Sequence, residues 1–202
     1  MTHVKRLYDY YPGYQLYITG QSLGGALATL FALEVAASRD SSIVKPVTCI
    51  SIASPKVGNM SFRRAFQALE KQHQIRSLRI ANDKDIVTLL PDRGSLSCVY
   101  IMCCQANLFR HVGVELKLYA NGRYKLTRPS DNSNYVNMFL KDWVIQVKNT
   151  AYIILTFPFV CCKEDFLRYH GCIEYLERLK KNSSALQNIY LNNNNEAMEV
   201  SE

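Results

Sequence analysis

The sequence predicts an α/β protein built on a mostly parallel sheet with flanking helices. Three observations carry this. Runs of β-rich residues alternate along the chain with stretches of helical periodicity, and no internal repeat or linker-like boundary interrupts them. Residues 47–53 (VTCISIA) are apolar throughout, as expected of a strand buried on both faces of a parallel sheet. Residues 14–19 (YQLYIT) stop at Gly20 and give way to a helical pattern, which reads as strand, tight turn and helix.

Taken in order, residues 7–11 close an early helix that ends at Pro12 and Gly13. The strand at 14–19 follows. From Ser22 onward, Leu23, Ala26, Leu27, Leu30, Phe31 and Leu33 recur at helical spacing in an Ala-rich context. The strand at 47–53 is broken by Ser54-Pro55 and Gly58-Asn59. Residues 62–72 read as a helix, 75–81 as a strand and 82–85 as a polar loop at its carboxyl end. A strand at 112–119 runs into a turn at Asn121-Gly122. Residues 166–180 read as one helix, with Leu167, Ile173, Leu176 and Leu179 on its apolar side. The expected organisation is one domain over 1–182 and a polar, disordered tail over 183–202, asparagine-rich near 192–195.

Composition fits a globular domain: of 202 residues, 48% are hydrophobic and 20% charged. The formal charge of +7 draws such a chain toward anionic surfaces, acidic phospholipid among them. The basic residues are scattered, and pairs such as Arg63-Arg64 and Lys180-Lys181 sit beside acidic residues. No run has the density or aromatic interleaving of a nucleic-acid patch, so nucleic acid is not an expected partner. The seven cysteines form no CxxC pair and no regular spacing, which argues against a disulfide framework or a zinc site. Most are expected to be reduced, buried small hydrophobes, and no metal or cofactor is expected. The N-terminus, Met-Thr-His-Val-Lys-Arg, leads into no apolar segment, so no signal peptide is expected and the location reads as cytoplasmic. The most membrane-like stretch, 143–160, contains Gln146, Lys148, Asn149 and Pro158, and its apolar part is too short to span a bilayer. A buried helix is expected there.

The strongest chemical signal is Gly20-Gln21-Ser22-Leu23-Gly24, a G-x-S-x-G pattern between a β run and a helix. A serine on such a turn takes a strained backbone, and small neighbours let strand and helix approach. The turn lifts the hydroxyl clear and aims the Leu23 N–H at a developing oxyanion. A serine hydroxyl also needs a general base, and the base needs a carboxylate to orient it. The acid is expected after a later strand, where Asp83, Asp85 and Asp92 are candidates. Of the four histidines, His3 precedes the nucleophile, His73 lies in a polar helix end and His111 opens a strand. Chain order and position favour His170, with His111 still open.

Several spaced motifs share a resemblance. They are Ile18-Thr19-Gly20-Gln21-Ser22-Leu23-Gly24-Gly25-Ala26-Leu27-Ala28, Ala53-Ser54-Pro55-Lys56-Val57-Gly58-Asn59, Arg79-Ile80-Ala81-Asn82-Asp83-Lys84-Asp85-Ile86-Val87, His111-Val112-Gly113-Val114-Glu115, and His170 with Tyr175-Leu176 after it. In this order they resemble the class 3 lipases, the group of fungal triacylglycerol lipases and their plant and algal relatives. The resemblance implies an α/β-hydrolase fold, of which this chain is the C-terminal part. It implies Ser22 as nucleophile, Asp85 of the N-x-x-D-I-V pattern as acid, His170 as base and the Leu23 N–H as one oxyanion donor. It does not give His111 the role of base. The implied substrates are carboxylic esters of lipids, and peripheral contact with a membrane or lipid-droplet surface is the matching expectation.

Three departures stand out. Gln21 occupies a position that is usually His in the family, and Lys56 one that is usually Arg. Family members also carry a long segment before the elbow, with the first strands, the lid and a second oxyanion donor, whereas here the elbow serine is already residue 22. The chain therefore reads as N-terminally truncated. The alternative to an esterase is a catalytically weak or inactive hydrolase-like protein that binds lipid or a partner.

Overall fold

The computed structural model describes residues 2–91, 109–128 and 165–186. The apolar stretch at 143–160, Asp92, and the asparagine-rich segment near 192–195 lie outside them. Among the described residues, five strands form one sheet in chain order: β1 (Gln15–Gln21), β2 (Val44–Ile52), β3 (Ile75–Asn82), β4 (Val114–Leu118) and β5 (Tyr124–Thr127). The first four are parallel, and β5 returns antiparallel to β4. The α/β class and the mostly parallel sheet expected from the sequence are both present.

Helix α1 (Thr2–Tyr10) precedes β1, α2 (Leu23–Ala37) connects β1 to β2, and α3 (Met60–Lys71) connects β2 to β3. A 3-10 turn, Ile86–Leu89, follows β3. Among the described residues, three short helices follow the sheet: α4 (Asp165–His170), α5 (Cys172–Lys181) and α6 (Ser183–Leu186). Asn59 caps α3 by accepting from the Phe62 N–H at 3.0 Å, so the Gly58-Asn59 break is also a helix start.

Strand alternation sends neighbouring side chains to opposite faces of the sheet. Cys49 and Ile75 pack with Ala28, Ala32 and Ala36 of α2 and Phe66 of α3. Ile50, Ile52, Leu78 and Ile80 turn the other way, toward Leu116, Leu118 and Tyr175 of α5. The sheet is thus covered on both faces, which is why 47–53 is apolar without alternation. Cys49 sits in this core as the expected small hydrophobe, and burial pushes its thiol up to about 11. Cys172, by contrast, is exposed.

The apolar repeat read along α2 faces outward in part, although Phe31 and Leu33 pack against the core. Leu23 is 67% exposed, Leu27 57% and Leu30 44%. The sheet-facing row is instead Gly25, Ala28, Thr29, Ala32, Val35 and Ala36. Small side chains at that spacing let the helix axis come close to the strands, and Leu23, Leu27 and Leu30 are left on the far side.

Four further differences from the sequence reading have local causes. The strand expected at 112–119 is regular only over Val114–Leu118, because Gly113 takes a positive φ of 76° just before it. The turn at Asn121-Gly122 serves a hairpin whose second strand, β5, is four residues long and too short to announce itself. The helix expected over 166–180 is two helices, since Gly171 adopts extended backbone (φ −68°, ψ 147°) between α4 and α5. That break resets the helical phase, so Ile173 and Leu176 are exposed while Tyr175 and Arg178 are buried. Finally, the chain continues in helical form past 182 into α6, where Leu186 packs against the Tyr175 cluster.

The parallel register brings strand ends together. Gln21 pairs with Ile52, Ile52 with Ile80, and Asn82 with Leu118, so β1, β2 and β3 finish along one edge. Such a carboxyl edge is where α/β sheets present their chemistry. At β1 the turn into α2 is closed by Gly20 and Gly25. A Cβ on Gly20 would overlap the Gly24 carbonyl, and one on Gly25 would come within 2.9 Å of the Gly20 oxygen. We expect Gly20→Ala to destabilise the chain by about 1–3 kcal/mol, the usual range for overpacking, read as a lower urea midpoint at unchanged m-value. An unaltered midpoint would mean that the elbow opens at no cost.

Candidate active site

Ser22 stands one residue beyond β1 and immediately before α2. Its φ of 57° lies in the left-handed region that a non-glycine residue seldom occupies. The fold over-determines this conformation: the Ser22 N–H donates to Ile52 O at 2.9 Å, while its carbonyl accepts from Gly25 and Ala26 as α2 begins. Leu23 is the first residue of α2, and its N–H has no acceptor within the helix.

Asp85 follows β3 and initiates the 3-10 turn, accepting from the Val87 N–H at 3.0 Å. Its side chain is fully buried. His170 ends α4, where the break at Gly171 leaves its imidazole facing the sheet edge. His170 Nε2 is 2.7 Å from Ser22 Oγ, and Nδ1 lies 3.0 and 3.1 Å from the two carboxylate oxygens of Asp85. A carboxylate only accepts, so Nδ1 carries the proton and Nε2 is left to accept from the serine hydroxyl.

Two further groups complete this arrangement. The Tyr175 hydroxyl donates to Asp85 Oδ2 at 2.7 Å and accepts from the Asn82 N–H at 2.9 Å. Burial and the Asp85 charge push the Tyr175 phenol above its ordinary range, so it stays a donor. The sequence marks Tyr175 only as an aromatic following His170, and no local pattern ties it to Asp85. The amides of Gln21 and Asn82 also reach this region, donating to the carbonyls of His170 and Tyr169 at 3.0 and 3.1 Å.

The other candidates are placed elsewhere. Asp83 pairs with Arg178 at 2.6 Å, and Arg178 also holds Glu174 at 2.9 Å. His3 and His73 are exposed. His111 faces the Thr88 carbonyl, with Nε2 at 2.7 Å. Burial, and secondarily the Arg79 charge, hold its pKa well below the ordinary 6.5.

The His111 shift has a pH consequence. Above about 6.5 the ring is neutral whether the chain is folded or not, so it contributes no pH dependence. Below that the unfolded chain takes up a proton that the folded site refuses, and stability falls by up to about 1.4 kcal/mol per pH unit until the folded value is reached. The urea midpoint is therefore expected to drop between pH 7 and 5, and His111→Gln, which keeps an N–H donor for Thr88, to flatten that drop. Parallel curves for the two proteins would refute it.

The family profile described as lipase (class 3) matches residues 1–94. The chloroplastic galactolipase DONGLE of Arabidopsis thaliana is 35% identical over 131 residues, covering 58% of this chain and 27% of that protein. Phospholipase A1-II 3 of Oryza sativa subsp. japonica is 36% identical over 127 residues, covering 60% and 26%. The chain thus spans about a quarter of the length of these curated relatives. Among solved structures, the triacylglyceride lipase of Rhizomucor miehei aligns with a TM-score of 0.46 at 25% identity, covering 62% of this chain and 41% of that one. Over residues 1–94, the chain is similar to the class 3 lipases.

Proposed function

We propose that this chain carries the catalytic triad of a serine hydrolase that cleaves carboxylic esters of lipids. The observation that carries the reading is the 2.7 Å approach of Ser22 Oγ to an imidazole whose other nitrogen faces a buried carboxylate. In the proposed reaction Ser22 Oγ attacks the ester carbonyl carbon as His170 Nε2 takes its proton. The Leu23 N–H, at the start of α2, stabilises the developing oxyanion. Collapse breaks the ester C–O bond, and His170 returns the proton to the departing alcohol. Water, deprotonated by His170, then attacks the acyl carbon, and His170 returns that proton to Ser22 Oγ as the acyl C–Oγ bond breaks and the carboxylic acid leaves. Asp85 stabilises the imidazolium that forms at each half-reaction.

Acylglycerolipids are the proposed substrate class, in keeping with relatives named as a galactolipase and a phospholipase A1. The formal charge of +7 favours peripheral contact with an anionic membrane or lipid-droplet surface. Among the described residues no helix is long and apolar enough to cross a membrane. Cytoplasmic residence belongs to the same proposal, although two relatives are named as chloroplastic.

A fluorophosphonate probe tests the chemistry. Labelling is expected at Ser22, to fall roughly a thousandfold or more in His170→Ala, and to persist in His111→Gln. Absence of label on Ser22 in the folded chain would favour the non-catalytic, lipid- or partner-binding alternative. Surface contact is tested by flotation with vesicles of phosphatidylserine and phosphatidylcholine. Binding is expected at low salt and to weaken at high salt, as screening requires; equal flotation with and without the anionic lipid would sink it.

A further inference from the structure

The break between α4 and α5 has a second effect. In a continuous helix the carbonyls of Tyr169 and His170 would accept from N–H groups one turn later. Gly171 stops that ladder by taking extended backbone, and both carbonyls are left at a helix end. Each is taken up by a side-chain amide from a strand terminus. Gln21 Nε2 donates to His170 O at 3.0 Å, and Asn82 Nδ2 donates to Tyr169 O at 3.1 Å.

The two amides are not arbitrary in position. Gln21 is the last residue of β1 and is bonded covalently to Ser22. Asn82 is the last residue of β3, on the turn that presents Asp85, and its own N–H donates to the Tyr175 hydroxyl that holds the Asp85 carboxylate. The His170 turn is therefore referenced to the nucleophile on one side and to the carboxylate on the other. The backbone of the His170 turn cannot move away from the Ser22 turn without breaking the Gln21 bond. An amide donates at every pH, so this tether does not titrate as His170 changes charge.

We propose that Gln21 and Asn82 are positioning residues: together they clamp the His170 turn so that its imidazole bridges Ser22 and Asp85. This rests on the triad reading above. Gln21 is the side chain to change, because it is only partly buried, whereas Asn82 is fully enclosed.

The experiment measures fluorophosphonate inactivation of the full chain at one fixed pH, separating probe affinity from the maximal inactivation rate. Gln21→Met keeps length and volume but removes the donor. Gln21→Glu keeps length and turns an acceptor toward the carbonyl. The maximal rate is expected to fall about tenfold to a hundredfold in Gln21→Met, as for a catalytic group displaced by a fraction of an ångström to an ångström. It is expected to fall further in Gln21→Glu, with probe affinity unchanged in both. A wild-type maximal rate in Gln21→Met, with His170→Ala still inert, would overturn the clamp and leave the triad standing. A Gln21→Met chain that is unfolded in urea-free buffer would also overturn it, since the amide would then hold the fold and not the histidine. Failure of the wild-type chain to label at Ser22 would instead remove the triad reading, and this inference with it.

Discussion

The buried carboxylate of Asp85 is the constraint around which the site is arranged. An ionised carboxylate removed from water costs several kcal/mol unless donors replace its hydration. Three groups do so here: the Val87 N–H from the 3-10 turn, the Tyr175 hydroxyl from α5 and His170 Nδ1 from α4. They come from segments far apart in sequence, so satisfying one charge draws the last helices onto the end of β3. The same contact fixes the tautomer of His170, and with it the direction in which Nε2 can accept.

Ser22 is the complementary constraint, set by backbone and not by charge. A left-handed φ in a residue with a Cβ costs of the order of 1–3 kcal/mol. It persists because strand and helix meet through Gly20 and Gly25, and because the row Gly25, Ala28, Ala32, Ala36 lets α2 lie close to the sheet. A larger residue in that row would lift the helix and relax the turn. The small residues that look unremarkable beside the leucines of α2 are the ones that keep the hydroxyl at the sheet edge.

Much of the parallel sheet was legible in the sequence, because β2 and β3 are buried runs with β-branched residues and the elbow carries its own glycine pattern. Asp83 and Asp85 could not be separated by residue type or spacing alone, since both sit in one polar loop; the family pattern preferred Asp85, and burial together with Arg178 separates them in space. The split of the last helix at Gly171 was not foreseen, as a single glycine inside an apolar periodicity is commonly tolerated. Missing that break also misassigned Ile173 and Leu176 to the buried side. The contacts of Gln21, Asn82 and Tyr175 leave no local trace at all, because each joins residues separated by 87 to 149 positions.

The order of the strands in the sheet is also the order in which they are synthesised. Each of these strands can add beside the one before it, so the elbow and its helix can form before the later strands emerge. His170, however, lies 148 residues beyond Ser22. A nascent chain that stops short of His170 holds the bent serine without the imidazole that stands 2.7 Å from it, so the link from Ser22 through that ring to Asp85 waits for α4.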